Sequence, residues 1–95
     1  MPRPLKPRRI NFNPGALYFK PRAMPLSILE EVELNLDEIE ALRLCELKEL
    51  NQVEAAKKMQ ISQSTLQRLL SSVHRKIADA LINGKAIKII KESKR

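Results

Sequence analysis

Gln63, Ser64, Gln67 and Arg68 are four strong hydrogen-bonding side chains spaced i, i+1, i+4 and i+5. On a helix that spacing gathers them on one side of the first two turns. The chemistry open to such a set is recognition. A glutamine amide matches the donor and acceptor on an adenine edge, a guanidinium matches the paired acceptors of guanine, and serine suits several edges. Alone, the same four residues would be an ordinary solvated helix face, and Arg68 could equally pair with an acid of an earlier helix. Their surroundings decide between these uses.

Those surroundings are basic. Lys57 and Lys58 precede the set, and Arg75 and Lys76 follow it. Together with Ser62 and Thr65 they have the chemistry of phosphate contacts, which position a protein on nucleic acid without reading sequence. The net charge of +7 over 95 residues is unevenly distributed. Residues 1–22 carry +6 with no acid, residues 30–54 carry −7, and residues 57–95 carry +8. Two basic blocks around an acidic one point to a polyanionic partner, with double-stranded DNA as the expected one. An acidic face would repel the same partner and so orient the domain on it.

The elements that must hold these residues are marked by caps. Asn35 is followed by Glu38, Asn51 by Glu54, and Ser62 by Thr65. The first two pairs have capping-box spacing; the third has only the cap half. Leu34, Leu50 and Ile61 precede the three caps, and Ile39, Ala55 and Leu66 lie four residues after them, which is hydrophobic-staple spacing each time. Three helices are therefore expected to start at Asn35, Asn51 and Ser62. The last carries an apolar stripe of Leu66, Leu69, Leu70, Val73, Ile77, Ala80 and Leu81, and should stop at Asn83-Gly84. The second is barely two turns long and cannot persist alone. A short helix, a tight turn and a longer helix form a helix-turn-helix, whose second helix enters the DNA major groove by its N-terminal end. Ala55 and Ala56 allow the close approach, and Met59 and Ile61 fill the turn. Gln60 stands where a left-handed turn would favour Gly.

Outside this unit the chain divides into a basic arm (1–25), a helical domain (26–85) and a basic tail (86–95). All six prolines lie in the first 25 residues, so the arm is extended. Arg3, Lys6, Arg8 and Arg9 are its candidate contacts, in a minor groove or on a partner chain. ALYFK (16–20) has short-strand character, and AIKII (86–90) is its candidate partner. PLSILEEVEL (25–34) has room for one short helix. The first capped helix is apolar on most sides, with Leu36, Ile39, Ala41, Leu42, Leu44, Cys45 and Leu47. It needs cover from several directions, which suggests a homodimer.

Catalysis is not expected: no nucleophile–base pair or Gly-rich phosphate loop is visible. A single Cys and a single His leave no disulfide and no metal cluster, and no cofactor is implied. Cys45, beside Glu46 and Glu49, reads as a small buried group, and His74 as an exposed polar one. The acids at 30–40 read as caps, first-turn charges and a solvated face. No apolar run reaches membrane-span length and no signal-type segment follows the basic start, so a cytoplasmic, membrane-free protein is expected.

Five stretches carry a resemblance: MPRPLKPRR at 1–9, YFKP at 18–21, LDEIEALRL at 36–44, EAAKKMQIS at 54–62 and RKIADALINGKAI at 75–87. They resemble a small family of archaeal and bacterial predicted DNA-binding proteins of unassigned role. The likeness spans nearly the whole chain. It implies a DNA-binding helix-turn-helix similar to region 4 of sigma factors; with the extended arm and the short β pairing of the two end segments read above, the expected fold is mainly α. Relatives often have Gly and Val where this chain has Gln60 and Ile61, and Arg where it has Gln63, which would alter base preference. Some have Cys in the arm where Pro7 stands, which leaves the arm without a metal or redox role. The expected function is sequence-specific duplex DNA binding in transcription regulation. Two rivals remain: a protein–protein adaptor of the transcription machinery, and an RNA-binding module, the latter disfavoured by the scarcity of aromatics for base stacking.

Overall fold

The computed structural model describes residues 9, 10, 15, 17–25 and 28–91. The arm residues Arg3, Lys6 and Arg8 lie outside them. The chain is mostly helical with a small sheet. Strand β1 spans Tyr18–Phe19 and β2 spans Glu31–Asn35. Helix α1 (Leu36–Leu42) runs into a π-helical turn over Arg43–Leu47. Then follow α2 (Gln52–Met59), α3 (Gln63–Asn83) and β3 (Ala86–Ile90).

The three helix starts lie where the caps place them. Asn35 is extended, and its N–H donates to Glu38 Oε1 at 2.9 Å. Asn51 Oδ1 accepts from the Glu54 N–H at 2.8 Å, and Ser62 Oγ from the Thr65 N–H at 3.1 Å. Helix α3 stops where Gly84 takes φ +68°, a left-handed turn that glycine adopts without a Cβ penalty.

The sheet has the order β1-β3-β2. The expected pairing of the two end segments is present: β1 runs antiparallel to β3, with Tyr18 opposite Lys88 and Phe19 opposite Ile87. The segment set apart as a tail thus enters the fold as the central strand. The short helix expected within 25–34 is corrected. Residues 31–34 are strand, in β2, which runs parallel to β3; Ile28 is in 3-10 conformation with its N–H on Pro25 C=O at 3.2 Å, and residues 26 and 27 lie outside the described residues. The physical reason is the alternation at the end of that segment: Val32 and Leu34 lie opposite Ile87 and Ile89, while Glu31, Glu33 and Asn35 are exposed. Parallel strands need a long crossover, and the whole helical unit supplies it.

Ala41, Leu44, Ala55, Ala56, Met59, Leu66 and Leu70 form the core between the helices, with Cys45, Leu50, Ile61 and Leu69 packed on it. Val73 and Ala80 of α3 and Leu34, Ala86 and Ile89 of the sheet are also buried. Two carboxylates lie inside. Glu40 receives Arg43 on both oxygens, at 2.7 and 3.0 Å. Glu38 accepts from the Asn35 N–H, the Ser72 hydroxyl and Lys76 Nζ, the last at 3.1 Å. Lys76 also donates to the Glu33 carbonyl at 2.7 Å, so one lysine joins α3 to α1 and to β2.

Glu38→Ala should therefore destabilise the domain by about 2 kcal/mol in urea unfolding, because it takes the shared acceptor from three donors and leaves the part-buried Lys76 ammonium without its counter-charge. A loss below about 0.5 kcal/mol, the range of ordinary surface changes, would show that the network carries no weight. Gln60 has φ 59° and ψ 44°. Gln60→Gly should stabilise by about 0.5–1 kcal/mol, since the left-handed region costs a residue with a Cβ about 1–2 kcal/mol and glycine's greater chain entropy offsets about half of that; an unchanged unfolding midpoint would contradict this.

Candidate nucleic-acid interface

α2 and α3 are joined by three residues, Gln60, Ile61 and Ser62. Gln60 N–H donates to Lys57 C=O and Ile61 N–H to Ala56 C=O, which closes α2. Ile61 then packs on the core, and the Ser62 hydroxyl starts α3. Ala55, Met59 and Leu66 are fully buried where the two helices meet. That packing fixes which side of α3 is left outside. The outer side carries Gln63, Ser64, Gln67, Arg68, Ser71 and Arg75, all exposed.

A shallow open groove along one flank of α3 is lined by Ser64, Gln67, Arg68, Ser71, Ser72, Arg75 and Lys76. Among the described residues no carboxylate lines it. A second hollow, on the opposite flank, is lined by Asn51, Gln52, Gln67, Ser71 and His74 among others, and by one carboxylate, Glu46. Gln67 and Ser71 border both, so the front of α3 stands as a ridge between two hollows.

The structure brings Gln63, Ser64, Gln67 and Arg68 to this ridge as a group. Arg68 has no carboxylate partner among the described residues; its guanidinium lies 3.5 Å from Thr65 Oγ1, at the limit of a hydrogen bond. Ser62 and Thr65 bond each other at 2.9 Å and serve the cap first. Lys57 and Lys58 are exposed at the C-terminal turn of α2, where they also complement the helix dipole. Arg75 is exposed two turns beyond Arg68, about 10 Å along the axis. Lys76 differs from expectation: its ammonium is engaged by Glu38 and the Glu33 carbonyl, and it serves the fold.

Of the arm, Arg9 is described. Its side chain is exposed, and its backbone N–H donates to Met59 C=O at 3.1 Å. Arg9 thus meets the body at the end of α2, beside the turn that leads into α3. His74 Nε2 lies 3.1 Å from Glu46 Oε2, linking α3 to the π-helical turn through an exposed pair of small energetic value. Cys45 is partly buried; burial, and then the negative charge of Glu46, push its thiol pKa up.

Three contacts have no counterpart in the sequence pattern. Gln67 Nε2 donates to Gln52 Oε1 at 3.0 Å, Ser72 to Glu38, and Arg9 to Met59. Each joins residues at least 15 apart in sequence, and neither the cap pattern nor the apolar periodicity carries such a signal. Among the described residues no three His, Cys, Asp or Glu side chains are grouped to hold a metal, and no helix is long and apolar enough to cross a membrane.

The chain belongs to the family described as a protein of unknown function, DUF134, whose profile matches residues 1–94. Among its relatives, the UPF0251 protein DET0218 of Dehalococcoides mccartyi is 54% identical over 89 residues, covering 94% of this chain and 76% of the relative. The UPF0251 protein TTE1845 of Caldanaerobacter subterraneus subsp. tengcongensis is 51% identical, covering 94% and 75%. A UPF0251 protein of Moorella thermoacetica is also 51% identical, covering 94% of this chain and 60% of the relative. No solved structure gives a significant match.

The raised thiol pKa makes a chemical prediction. With less thiolate at a given pH, Cys45 should react with iodoacetamide at pH 8 more slowly than free cysteine in the same buffer. An equal or faster rate, followed by mass spectrometry, would mean that burial and Glu46 do not suppress it.

Proposed function

We propose that this protein binds double-stranded DNA, with α2, the turn and α3 acting as a helix-turn-helix of the kind found in region 4 of sigma factors, and that it regulates transcription. The front turns of α3 enter the major groove and present Gln63, Ser64, Gln67 and Arg68 to base edges. Lys57, Lys58 and Arg75 contact phosphates around them, with Ser62 and Thr65 at the start of the helix. The supporting observation is the exposed ridge at the front of α3, which carries amides, hydroxyls and a guanidinium beside a groove that no carboxylate among the described residues lines. The anchor of Arg9 on Met59 supports a role for the arm at the same surface, since it fixes Arg9 beside the turn.

A homodimer completes the proposal. One small reading head gives limited specificity, and a two-fold pair doubles the number of bases read. Leu81 and Ile82 are 75% and 80% exposed, at the end of α3 opposite the ridge, where a partner would not obstruct it.

A second function, docking onto the transcription machinery, is favoured by a different observation. Leu47 and Val53 are exposed, in a stretch that also holds the acids Glu46, Glu49 and Glu54, and this apolar and acidic composition suits a protein partner better than DNA.

Titration with a random pool of duplexes across salt concentrations separates the two. DNA binding should weaken with salt, with a log–log slope of about −0.9 for each phosphate contacted. Lys57→Ala should weaken all duplexes alike and make the slope shallower by about one. Gln67→Ala should mainly flatten the preference for one base pair. Affinity that is absent, or that does not respond to salt, would remove DNA as the partner.

A further inference from the structure

We propose that Gln52, the first residue of α2, is the positioning residue for the base reader Gln67: it holds the Gln67 amide in one orientation and gives its own amide N–H groups to a backbone phosphate. This rests on the DNA-binding function proposed above and deepens it. The observation is the bond from Gln67 Nε2 to Gln52 Oε1, 3.0 Å long, between residues 15 apart on two different helices.

A free glutamine on a helix surface has three rotatable side-chain bonds, and its amide turns over readily. Either its oxygen or its nitrogen then leads, and a bidentate contact with adenine needs one arrangement only: Oε1 accepting from N6 and one Nε2–H donating to N7. An amide nitrogen has two hydrogens. With the hydrogen anti to Oε1 given to Gln52, Gln67 retains the N–H beside Oε1 and both oxygen lone pairs, which is the pattern adenine complements. Once a phosphate oxygen holds the Gln52 Nε2, only its Oε1 faces Gln67, and the bond then selects the productive arrangement of the base reader.

Gln52 is well placed to do this without being moved by the duplex itself. It sits immediately after Asn51, whose side chain closes the first turn of α2 by accepting from the Glu54 N–H, so its backbone is fixed. Helix α2 is in turn held to α3 by the buried contacts of Ala55, Met59 and Leu66. Among the described residues no partner takes the Nε2 of Gln52. Those two donors lie at a helix start, on the border of the hollow that Gln67 shares. Helix starts with free donors favour phosphate oxygens. One side chain then serves two functions: its oxygen sets the base reader, and its nitrogen fixes the distance of α2 from the strand.

The test uses the intact protein and the duplex it prefers from a random pool. Wild type, Gln52→Ala, Gln67→Ala, the double variant and Gln52→Glu are each measured against that duplex and against duplexes changed at single base pairs, with thermal unfolding as a control for folding. Gln67→Ala should lose about tenfold discrimination at one base pair. Gln52→Ala should lose most of that same discrimination, and the double variant should be no worse than Gln67→Ala alone. Gln52→Glu keeps an acceptor for Gln67 but sets a negative charge against phosphate. It should retain the discrimination while binding every duplex several-fold more weakly.

A purely packing role for Gln52 would lower affinity and unfolding temperature together and leave base preference alone. If Gln67→Ala relaxes one position but Gln52→Ala does not, or if the two effects add, Gln52 has no positioning role and DNA reading by Gln67 survives. Loss of the discrimination in Gln52→Glu would likewise remove the positioning role and spare Gln67. If wild type selects no duplex, both are overturned together.

Discussion

Glu38 accepts hydrogen bonds from the Asn35 backbone, the Ser72 hydroxyl and the Lys76 ammonium while almost wholly buried. A carboxylate in such a place costs several kcal/mol of desolvation unless its oxygens are satisfied. Here each oxygen has a donor, and the donors come from the strand–helix junction at Asn35 and from the middle of α3. The arrangement ties the rotation of α3 about its own axis to the position of α1. Leu66, Leu70 and Val73 could pack against an aliphatic core at several slightly different angles. A hydroxyl and an ammonium that must both reach one carboxylate allow far fewer. With Ser72 and Lys76 turned inward, Gln67, Arg68, Ser71 and Arg75 point outward. The exposed ridge is thus a consequence of a buried charge.

That dependence explains which features the sequence disclosed. Caps are local: Asn51 and Glu54 are three residues apart, as are Ser62 and Thr65, and Gly84 marks its own left-handed turn. All were legible because the physics lies within one helical turn. The pairing of Tyr18–Phe19 with Ala86–Ile90 was legible for another reason, since these were the only two segments with strand character left over once the helices were assigned. Glu31–Asn35 was obscured by its neighbours. Glutamates and leucines have good helix propensity, and strand character appears only once Val32 and Leu34 have Ile87 and Ile89 beside them. Tertiary pairing overrode local preference.

The candidate site divides the same way. Gln63, Ser64, Gln67 and Arg68 share an exposed face because helical periodicity alone puts them there. Lys76 belongs to the same helix, yet its ammonium is directed inward by Glu38, 38 residues earlier in the chain. Sequence spacing states which face a residue occupies but not which distant group engages it. The link from Gln52 to Gln67 is of this second kind. Charge blocks were informative only coarsely: the acidic stretch between residues 30 and 54 contains both Glu40, completely buried on Arg43, and Glu46, exposed beside His74.

The topology of the sheet has a kinetic corollary. Its central strand is β3, so β1 and β2 have no neighbour of their own until β3 arrives, and Glu31 must find Ala86 across the whole helical unit. Bringing those ends together spends chain entropy that short-range helix contacts do not. The capped helices should therefore assemble early, and strand closure should be the slow step. A chain interrupted after Gly84 would retain its helices' local signals while both outer strands were left without a ladder.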